Sequence, residues 1–326
     1  MDSYKPLKKI GVVGLGLMGS SIIVSFLQAG YEVVALTPIA DELELGRNRI
    51  DEQLLLCSSM GFLPQVFSYY WSNCLVTDDY LDLQACDLVV ECVIELAAIK
   101  ASVYQRIEEV VSATTIIASN TSALPISELQ QYLRIPERFL GIHWAEPAYA
   151  TRFLEITCGS QTQVAFADII KAEAEKLWEK EPTLLYKDVR GFITNRLMYA
   201  VYREAFHLLN TGVADMAAID KCFQYDVGAW ISLMGIFRRM DYIGLERYQL
   251  AFQQTFPRLC NSEEVPPQMQ KIAEMKGRGV HNLIGLYPHT KSSAKELNQS
   301  FAQFNEDIYR LIEKYRHKKN NLNLKS

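Results

Sequence analysis

The sequence predicts an α/β protein in which a doubly wound, mostly parallel sheet is followed by an all-helical domain. Short apolar runs alternate with helical patterns over the first half of the 326-residue chain, which is typical of a parallel sheet covered by helices on both faces. A glycine-rich turn follows the first run. Beyond residue 187 the strand-like runs largely disappear and amphipathic helices remain. We therefore expect two domains, residues 1–187 and residues 188–326.

Local periodicity and turn residues predict the individual elements. Six apolar runs are predicted strands: residues 8–14, 31–36, 87–94, 115–119, 138–143 and 153–157. Helical spacing of apolar residues predicts helices over residues 18–29, 41–70 with a break at Gly61 and Pro64, 98–111, 168–179 and 194–210. A final helix is predicted from apolar residues three or four positions apart: Leu297, Phe301, Phe304, Ile308, Ile312 and Tyr315. The tail after residue 316 is expected to be frayed.

Composition and charge exclude several classes of protein. The chain is 49% hydrophobic and 22% charged, which argues against a disordered or fibrous protein. Its net charge of −5 is dispersed, so no basic face for nucleic acid is expected. The seven cysteines form no CxxC pair, so we expect reduced thiols in a cytoplasmic protein and no metal site. The uncharged residues 10–31 imitate a membrane span, but five glycines and three serines interrupt them, and we expect no membrane segment.

The turn after the first predicted strand carries a GxGxxG motif. Gly14 permits a tight turn, Gly16 lets backbone N–H groups approach a pyrophosphate, and Gly19 lets helix and strand pack closely. The helix that begins at Leu17 and Met18 adds the partial positive charge of its N-terminus. An ordinary glycine-rich turn is the alternative, but the position between a strand and a helix favours a Rossmann-type dinucleotide site.

The end of the second predicted strand bears on the choice between NAD and NADP. An acidic residue that binds the ribose 2′-hydroxyl usually stands there, but this chain has Thr37, which cannot repel a 2′-phosphate. No arginine follows directly, although Arg47 and Arg49 lie on the next predicted helix. We expect NAD as the cofactor, and NADP is not excluded.

Several later strings resemble the L-3-hydroxyacyl-CoA dehydrogenase family, including its gulonate dehydrogenase and lambda-crystallin relatives. The resemblance runs in the family's order from about residue 8 to residue 250. The strings are DLVVE (87–91), SNTS (119–122), PERFLGIH (136–143), FLEI (153–156) and GFITNR (191–196). The resemblance implies a Rossmann-type NAD-binding domain, a helical domain through which members commonly dimerise, and NAD-linked oxidation of a 3-hydroxyl.

Matched position by position, the family pattern implies a catalytic group of four residues. His143 matches the catalytic histidine, Glu155 its carboxylate partner, and Ser122 and Asn195 the residues that hold the substrate oxygen. The residue types also suit the chemistry, because a histidine can take a hydroxyl proton near neutral pH and a carboxylate behind the ring fixes its tautomer. A structural histidine, and a helix cap in the case of Ser122, are the alternatives.

The resemblance also extends to the cofactor side of the site. Glu95 and Lys100 match an acid and a lysine near the ribose and nicotinamide, and Asn120 belongs to the same expected set. A solvated face is the alternative for Glu95 and Lys100. Glu146 departs from the family pattern, which has Asn there; it would place a negative charge beside the nicotinamide or, alternatively, point to solvent.

The distribution of charged residues bears on whether the substrate carries CoA. Residues 50–99 contain eight acids and no lysine or arginine, whereas acyl-CoA members offer lysines to the CoA phosphates in this part of the chain. Arg152 matches a basic position of the acyl-CoA branch and favours CoA. We expect reversible oxidation of L-3-hydroxyacyl-CoA to 3-ketoacyl-CoA, a step of fatty acid metabolism, by a homodimer. A dehydrogenase of a free small hydroxy acid and a non-catalytic dinucleotide-binding protein are the alternatives.

Overall fold

The computed structural model describes residues 6–316, so the predicted frayed tail lies outside the described residues. The chain divides into two compact units, Met1–Asn195 and Arg196–Ser326. The loss of strand-like runs in the sequence predicts this boundary at residue 187. The residues in between stay with the first unit because the Asp188 carboxylate accepts hydrogen bonds from Ser127 and because Phe192 is buried.

The first unit is built on one eight-stranded sheet. Its strands are β1 (Lys9–Val13), β2 (Glu32–Leu36), β3 (Cys74–Thr77), β4 (Leu88–Glu91), β5 (Ile116–Ser119), β6 (Phe139–Trp144), β7 (Phe153–Cys158) and β8 (Glu181–Leu185). They lie in the order β3-β2-β1-β4-β5-β6-β7-β8, and only the β6–β7 pair is antiparallel. The predicted doubly wound, mostly parallel sheet is confirmed.

Helices connect these strands and bury the sheet. They are α1 (Leu17–Gln28), α2 (Leu43–Ser59), α3 (Phe67–Ser72), α4 (Ala97–Val110), α5 (Ile126–Gln130) and α6 (Val164–Lys176). Every residue of β4 and β5 is buried, as expected for central parallel strands covered on both sides. The core therefore lies along the middle of the sheet, beneath the edge where β1, β4 and β5 end.

The strands β3 and β8 were not predicted from the sequence, because both lie at the edges of the sheet. β3 has four residues, of which only Thr77 is buried, so it lacks a continuous apolar run. β8 contains Pro182, which argues against a strand in a sequence but is tolerated at an edge, where its missing N–H costs no ladder bond. The predicted helix over residues 41–70 is two helices, α2 and α3, separated at the expected break.

The second unit is helical, as predicted. After α7 (Thr194–Asn210), which begins in the first unit, it contains α8 (Met216–Tyr225), α9 (Val227–Ile243), α10 (Leu245–Thr255), α11 (Pro267–Glu274) and α12 (Lys291–Arg316). α9 is kinked at Gly235, whose φ of 71° interrupts the helix. Within residues 6–316, no helix is both long and apolar enough to cross a membrane.

Candidate active site

The glycine motif forms the turn between β1 and α1. Gly14 has a φ of +104°, and a Cβ at that position would lie 2.8 Å from the carbonyl of Cys92. A Cβ on Gly19 would lie 1.8 Å from the Gly14 oxygen, so helix and turn require glycine at both places. At Gly16 a Cβ would meet nothing within 4 Å. The turn therefore leaves open space beside Gly16.

The residues around this space fit a dinucleotide. Leu17 and Met18 form the first turn of α1, whose N–H groups have no partners within the helix and carry its positive end. Leu17 is exposed and Met18 half-buried, so this turn is accessible. Backbone donors beside an open, side-chain-free space are what a pyrophosphate requires.

Thr37 follows β2, where the sequence analysis placed the ribose contact. Its side chain is buried, and its Oγ1 donates to the Ile39 carbonyl (3.0 Å) and accepts from the Ile39 N–H (3.3 Å). The hydroxyl is thus engaged in its own turn. No carboxylate stands at this strand end.

A buried ion pair lies where β4 and β5 end. Lys100 on α4 is 1% exposed, and its Nζ contacts Oε1 of Glu91 at 2.7 Å and Oε2 of Glu95 at 3.1 Å. Glu91 is fully buried and also accepts from the Tyr104 hydroxyl (2.8 Å) and the Ser119 hydroxyl (2.7 Å). Burial lowers the pKa of Lys100, but the two negative charges outweigh it and raise the pKa overall. The ammonium therefore stays charged.

The burial of Lys100 argues against the alternative that it lies on a solvated face, whereas its expected place near the cofactor stays a prediction. Lys100 lies beneath the surface rather than on a solvated face, and Glu95, 37% exposed, lies above it. Glu95 also accepts a hydrogen bond from the Thr121 hydroxyl. Burial opposes the ionisation of Glu95, yet the Lys100 charge and the Thr121 bond lower its pKa. Sequence reasoning missed Glu91, although an acid inside a predicted buried strand signals a hidden partner.

His143 and Glu155 face each other across the antiparallel pair of β6 and β7. The register aligns the two residues directly, and Nδ1 of His143 lies 2.8 Å from Oε2 of Glu155. Glu155 is buried, whereas the imidazole retains 13% exposure. Ring edges of Phe153 and Phe192 lie beside the imidazole, with centroids 5.4 and 6.0 Å away.

The second oxygen of Glu155 is held by the start of α7. Its Oε1 accepts from the N–H groups of Ile193 (3.2 Å) and Thr194 (3.0 Å) and from the Thr194 hydroxyl (3.2 Å). Burial raises the pKa of Glu155, but the bonds from His143 and Thr194 outweigh it and lower the pKa. An ionised carboxylate only accepts hydrogen bonds, so Nδ1 of His143 carries the proton and Nε2 is left as the basic atom.

Asn195, Ser122 and Asn120 link this pair to the ends of the central strands. Nδ2 of Asn195 donates to the Ser122 carbonyl at 3.0 Å, which uses one of its two N–H bonds. Oδ1 of Asn120 accepts from the Trp144 N–H at 3.1 Å, next to His143. The alternative that Ser122 caps the following helix is wrong, since the residue before α5 is Pro125.

Glu146 is exposed on the loop between β6 and β7. The loop is tied to α1, because the Ala148 N–H donates to the Ser21 hydroxyl at 2.6 Å. The loop is also held by Lys180, the residue before β8, whose Nζ donates to the Ala148 carbonyl at 2.6 Å. The loop that follows His143 is thus held at Ala148, and the Glu146 side chain two residues earlier is exposed.

Comparisons with known proteins agree with this arrangement. Residues 9–189 match the model of the 3-hydroxyacyl-CoA dehydrogenase NAD-binding domain, and residues 191–288 match that of the family's C-terminal domain. The chain is 30% identical to 5-formyl-3-hydroxy-2-methylpyridine 4-carboxylate 5-dehydrogenase of Mesorhizobium japonicum, over 94% of this chain and 99% of that protein. It is 31% identical to an L-carnitine dehydrogenase of Bacillus cereus, over 95% and 94% of the two chains.

A solved crystal structure also matches the fold of this chain. The crystal structure of 5-formyl-3-hydroxy-2-methylpyridine 4-carboxylic acid 5-dehydrogenase, an NAD-dependent dismutase, superposes with a TM-score of 0.85 at 29% identity, covering 94% of this chain and 99% of that one. The cofactor is NAD, and the chain is a dehydrogenase acting on CH–OH groups. With a Rossmann-type domain and a helical domain both matched in order, the chain belongs to the 3-hydroxyacyl-CoA dehydrogenase family.

Proposed function

We propose that the chain reversibly oxidises a secondary 3-hydroxyl group, with His143 as the base that removes the hydroxyl proton. The observation that carries this proposal is the 2.8 Å contact of His143 Nδ1 with Glu155 Oε2, which leaves Nε2 free to accept a proton. NAD, when bound, supplies the acceptor for the hydride that leaves the same carbon. The product is the ketone.

The other residues of the site have separate roles in this reaction. Glu155 stabilises the imidazolium that forms when Nε2 takes the proton, and in the reverse direction that proton returns to the carbonyl oxygen. The second Nδ2 hydrogen of Asn195 and the Ser122 hydroxyl are donors suited to the substrate oxygen as it gains negative character. The turn at Gly16 and the first turn of α1 would hold the pyrophosphate.

The test replaces His143 with Gln. We expect His143→Gln to lower kcat for alcohol oxidation by about a thousandfold while NADH still binds, because only proton transfer is lost. NADH absorbance and NADH fluorescence titration measure the two properties. The exposed His281 provides the control, since His281→Gln removes a histidine remote from the dyad in sequence. Unchanged turnover in His143→Gln would refute the proposal.

A free hydroxy acid is the second candidate for the substrate, beside the 3-hydroxyacyl-CoA expected from sequence. Its support is that both cations of α2 and α3 are engaged within the first unit. The Arg47 guanidinium lies over the Trp71 ring at 4.8 Å, and Arg49 donates to the Leu15 carbonyl at 3.1 Å. CoA phosphates would find only these two cations on α2 and α3, each already held by a contact within the first unit, and phosphate binding depends on such charges. We favour the free acid.

The two substrates are separated by one assay series. Acetoacetyl-CoA and free acetoacetate are offered with NADH, and 3-hydroxybutyrate, L-gulonate and L-carnitine with NAD. A free acid should give the higher kcat/KM. A higher value for acetoacetyl-CoA would instead support the CoA thioester, and the matched variant Arg49→Gln would then be expected to raise its KM.

We further propose that the helical unit packs against that of a second copy of the chain. From residue 196 onward, no side chain whose burial is described is buried, although many apolar residues are present. A groove of about 670 Å³ between α7 and residues 260–269 is lined by apolar side chains, among them Tyr199, Tyr202, Phe206, Val265, Met269 and Leu286. A symmetric second copy would cover apolar surface of this kind.

A further inference from the structure

One polar side chain beside the dyad has no assigned role. Thr194 begins α7, and its Oγ1 donates to Oε1 of Glu155 at 3.2 Å, on the opposite side of the carboxylate from His143. We propose that Thr194 is a positioning residue, whose hydroxyl fixes the rotation of the Glu155 carboxylate so that Oε2 stays aligned on Nδ1 of His143. This inference rests on the proposed function.

The Glu155 carboxylate needs such a restraint because its own terminal torsion is soft. Rotation about the last bond of a glutamate side chain has broad, roughly two-fold preferences, so the bonds to the oxygens decide the orientation. Two of the donors to Oε1 are backbone N–H groups, of Ile193 and Thr194, which no side-chain substitution removes. Among the described residues, the Thr194 hydroxyl is the third donor to Oε1 and the only one that belongs to a side chain.

Three donors on Oε1 also direct the histidine proton. An oxygen that already accepts three bonds is a poor partner for a further donor, so Nδ1–H is left with Oε2. Since Glu155 is buried, water cannot readily take the place of a lost donor from the inner side. Thr194 itself is exposed, however, so a water molecule could enter where its hydroxyl is deleted without a replacement.

This difference makes a graded series of substitutions informative. Thr194→Ser keeps the hydroxyl, Thr194→Ala opens room for water, and Thr194→Val fills the same volume with a methyl group that cannot donate. We expect Thr194→Ser to keep kcat near its original value and Thr194→Val to lower kcat about tenfold, with Thr194→Ala between them. The KM values should stay within about twofold, because ground-state binding is untouched.

A matched control lies at the other end of the same helix. The hydroxyl of Thr211 donates to the His207 carbonyl at 2.7 Å and is remote in sequence from the dyad. Thr211→Val therefore removes a helix-terminal hydroxyl bond without touching Glu155, and we expect kcat to be unchanged. Equal losses in Thr194→Val and Thr211→Val would identify a general effect on α7 and overturn the proposal.

A double-mutant cycle tests whether Thr194 acts through Glu155. If it does, Thr194→Val should have no further effect on kcat in a Glu155→Gln background, because the carboxylate it positions is absent. Proton NMR of the ligand-free protein gives a readout independent of turnover. The His143 Nδ1–H resonance, identified by its loss in His143→Gln, should be sharp in Thr194→Ser and broadened by exchange in Thr194→Val.

The outcomes separate this inference from the proposed function. Activity retained in His143→Gln would overturn both. An inactive His143→Gln with full kcat and a sharp resonance in Thr194→Val would overturn only the role of Thr194. An undiminished Thr194→Val loss in the Glu155→Gln background would show that Thr194 acts on the fold rather than on the dyad. If no compound of the assay series is turned over, the His143 Nδ1–H resonance alone decides whether Thr194 orients the Glu155 carboxylate.

Discussion

Thr37 stands where an acid usually discriminates between NAD and NADP, and its hydroxyl is engaged with Ile39. With no carboxylate to repel a 2′-phosphate, this position should discriminate weakly. We expect NADH and NADPH to bind with dissociation constants within about tenfold of each other, and Thr37→Asp to weaken NADPH binding at least tenfold more than NADH binding. Fluorescence titration measures both. Thr37→Asn is the uncharged control and should leave the ratio unchanged.

The contact of His143 with Glu155 could be anticipated from the chain, whereas the groups behind it could not. The two residues lie on neighbouring strands joined by one loop, so the antiparallel register brings them together. Glu91 sits within a run that is otherwise apolar, and only packing shows its four partners. Thr194 meets Glu155 from 39 residues farther along the chain, after α6, β8 and the connector. Such contacts join residues that only the tertiary fold brings together, so local sequence patterns do not predict them.

At the scale of elements, the loop between β6 and β7 depends on the buried Lys180. Its Nζ donates to the carbonyls of Ala148 and Thr151, and the Trp144 ring lies 5.2 Å away. Burial lowers the pKa of Lys180 to about 7, with the Glu179 charge opposing this and Arg152 adding to it. The loop joining the strands of the dyad is therefore held by an ammonium that titrates near neutrality.

The stability of the protein should consequently depend on pH through this lysine. In the unfolded chain Lys180 titrates near its ordinary 10.5, so between pH 7 and 10.5 the unfolded state binds more protons than the folded one. The free energy of unfolding should therefore rise with pH across this window, by about 1.4 kcal/mol per pH unit at most. Below pH 7 Lys180 is protonated in both the folded and the unfolded state, so the free energy of unfolding no longer depends on pH through this residue.

Urea unfolding between pH 7 and 9.5 measures this slope. Lys180→Met removes the titrating group, so its unfolding free energy should rise less steeply with pH than that of the unaltered protein. The exposed Lys187 is the matched control, and Lys187→Met should keep the original slope. Parallel curves for the unaltered protein and Lys180→Met would mean that Lys180 titrates alike in both states.

At the scale of the whole molecule, the two units differ in how they bury apolar residues. The first unit has a continuous core, with the central strands and Ile22, Ile23 and Val24 of α1 fully buried. In the second unit large apolar side chains remain exposed on several helices, including Leu197, Ile231, Phe237, Leu245, Leu250, Phe301 and Phe304. Because no side chain from residue 196 onward whose burial is described is buried, the helical unit gains less from the hydrophobic effect as a single chain than the first unit does. Its stability should therefore depend on association.

Phe237 on α9 offers the sharpest test of this dependence, because its side chain is 81% exposed. We expect sedimentation at twice the mass of the chain, with a melting temperature that rises with protein concentration, since association stabilises only the folded state. Phe237→Glu places a charge in the shared surface and should raise the dimer dissociation constant at least a hundredfold. Leu81→Glu, at an exposed apolar residue of the first unit, should leave it unchanged. A monomer whose melting temperature ignores concentration would contradict the second-copy proposal, whereas equal dissociation in both variants would place the shared surface elsewhere.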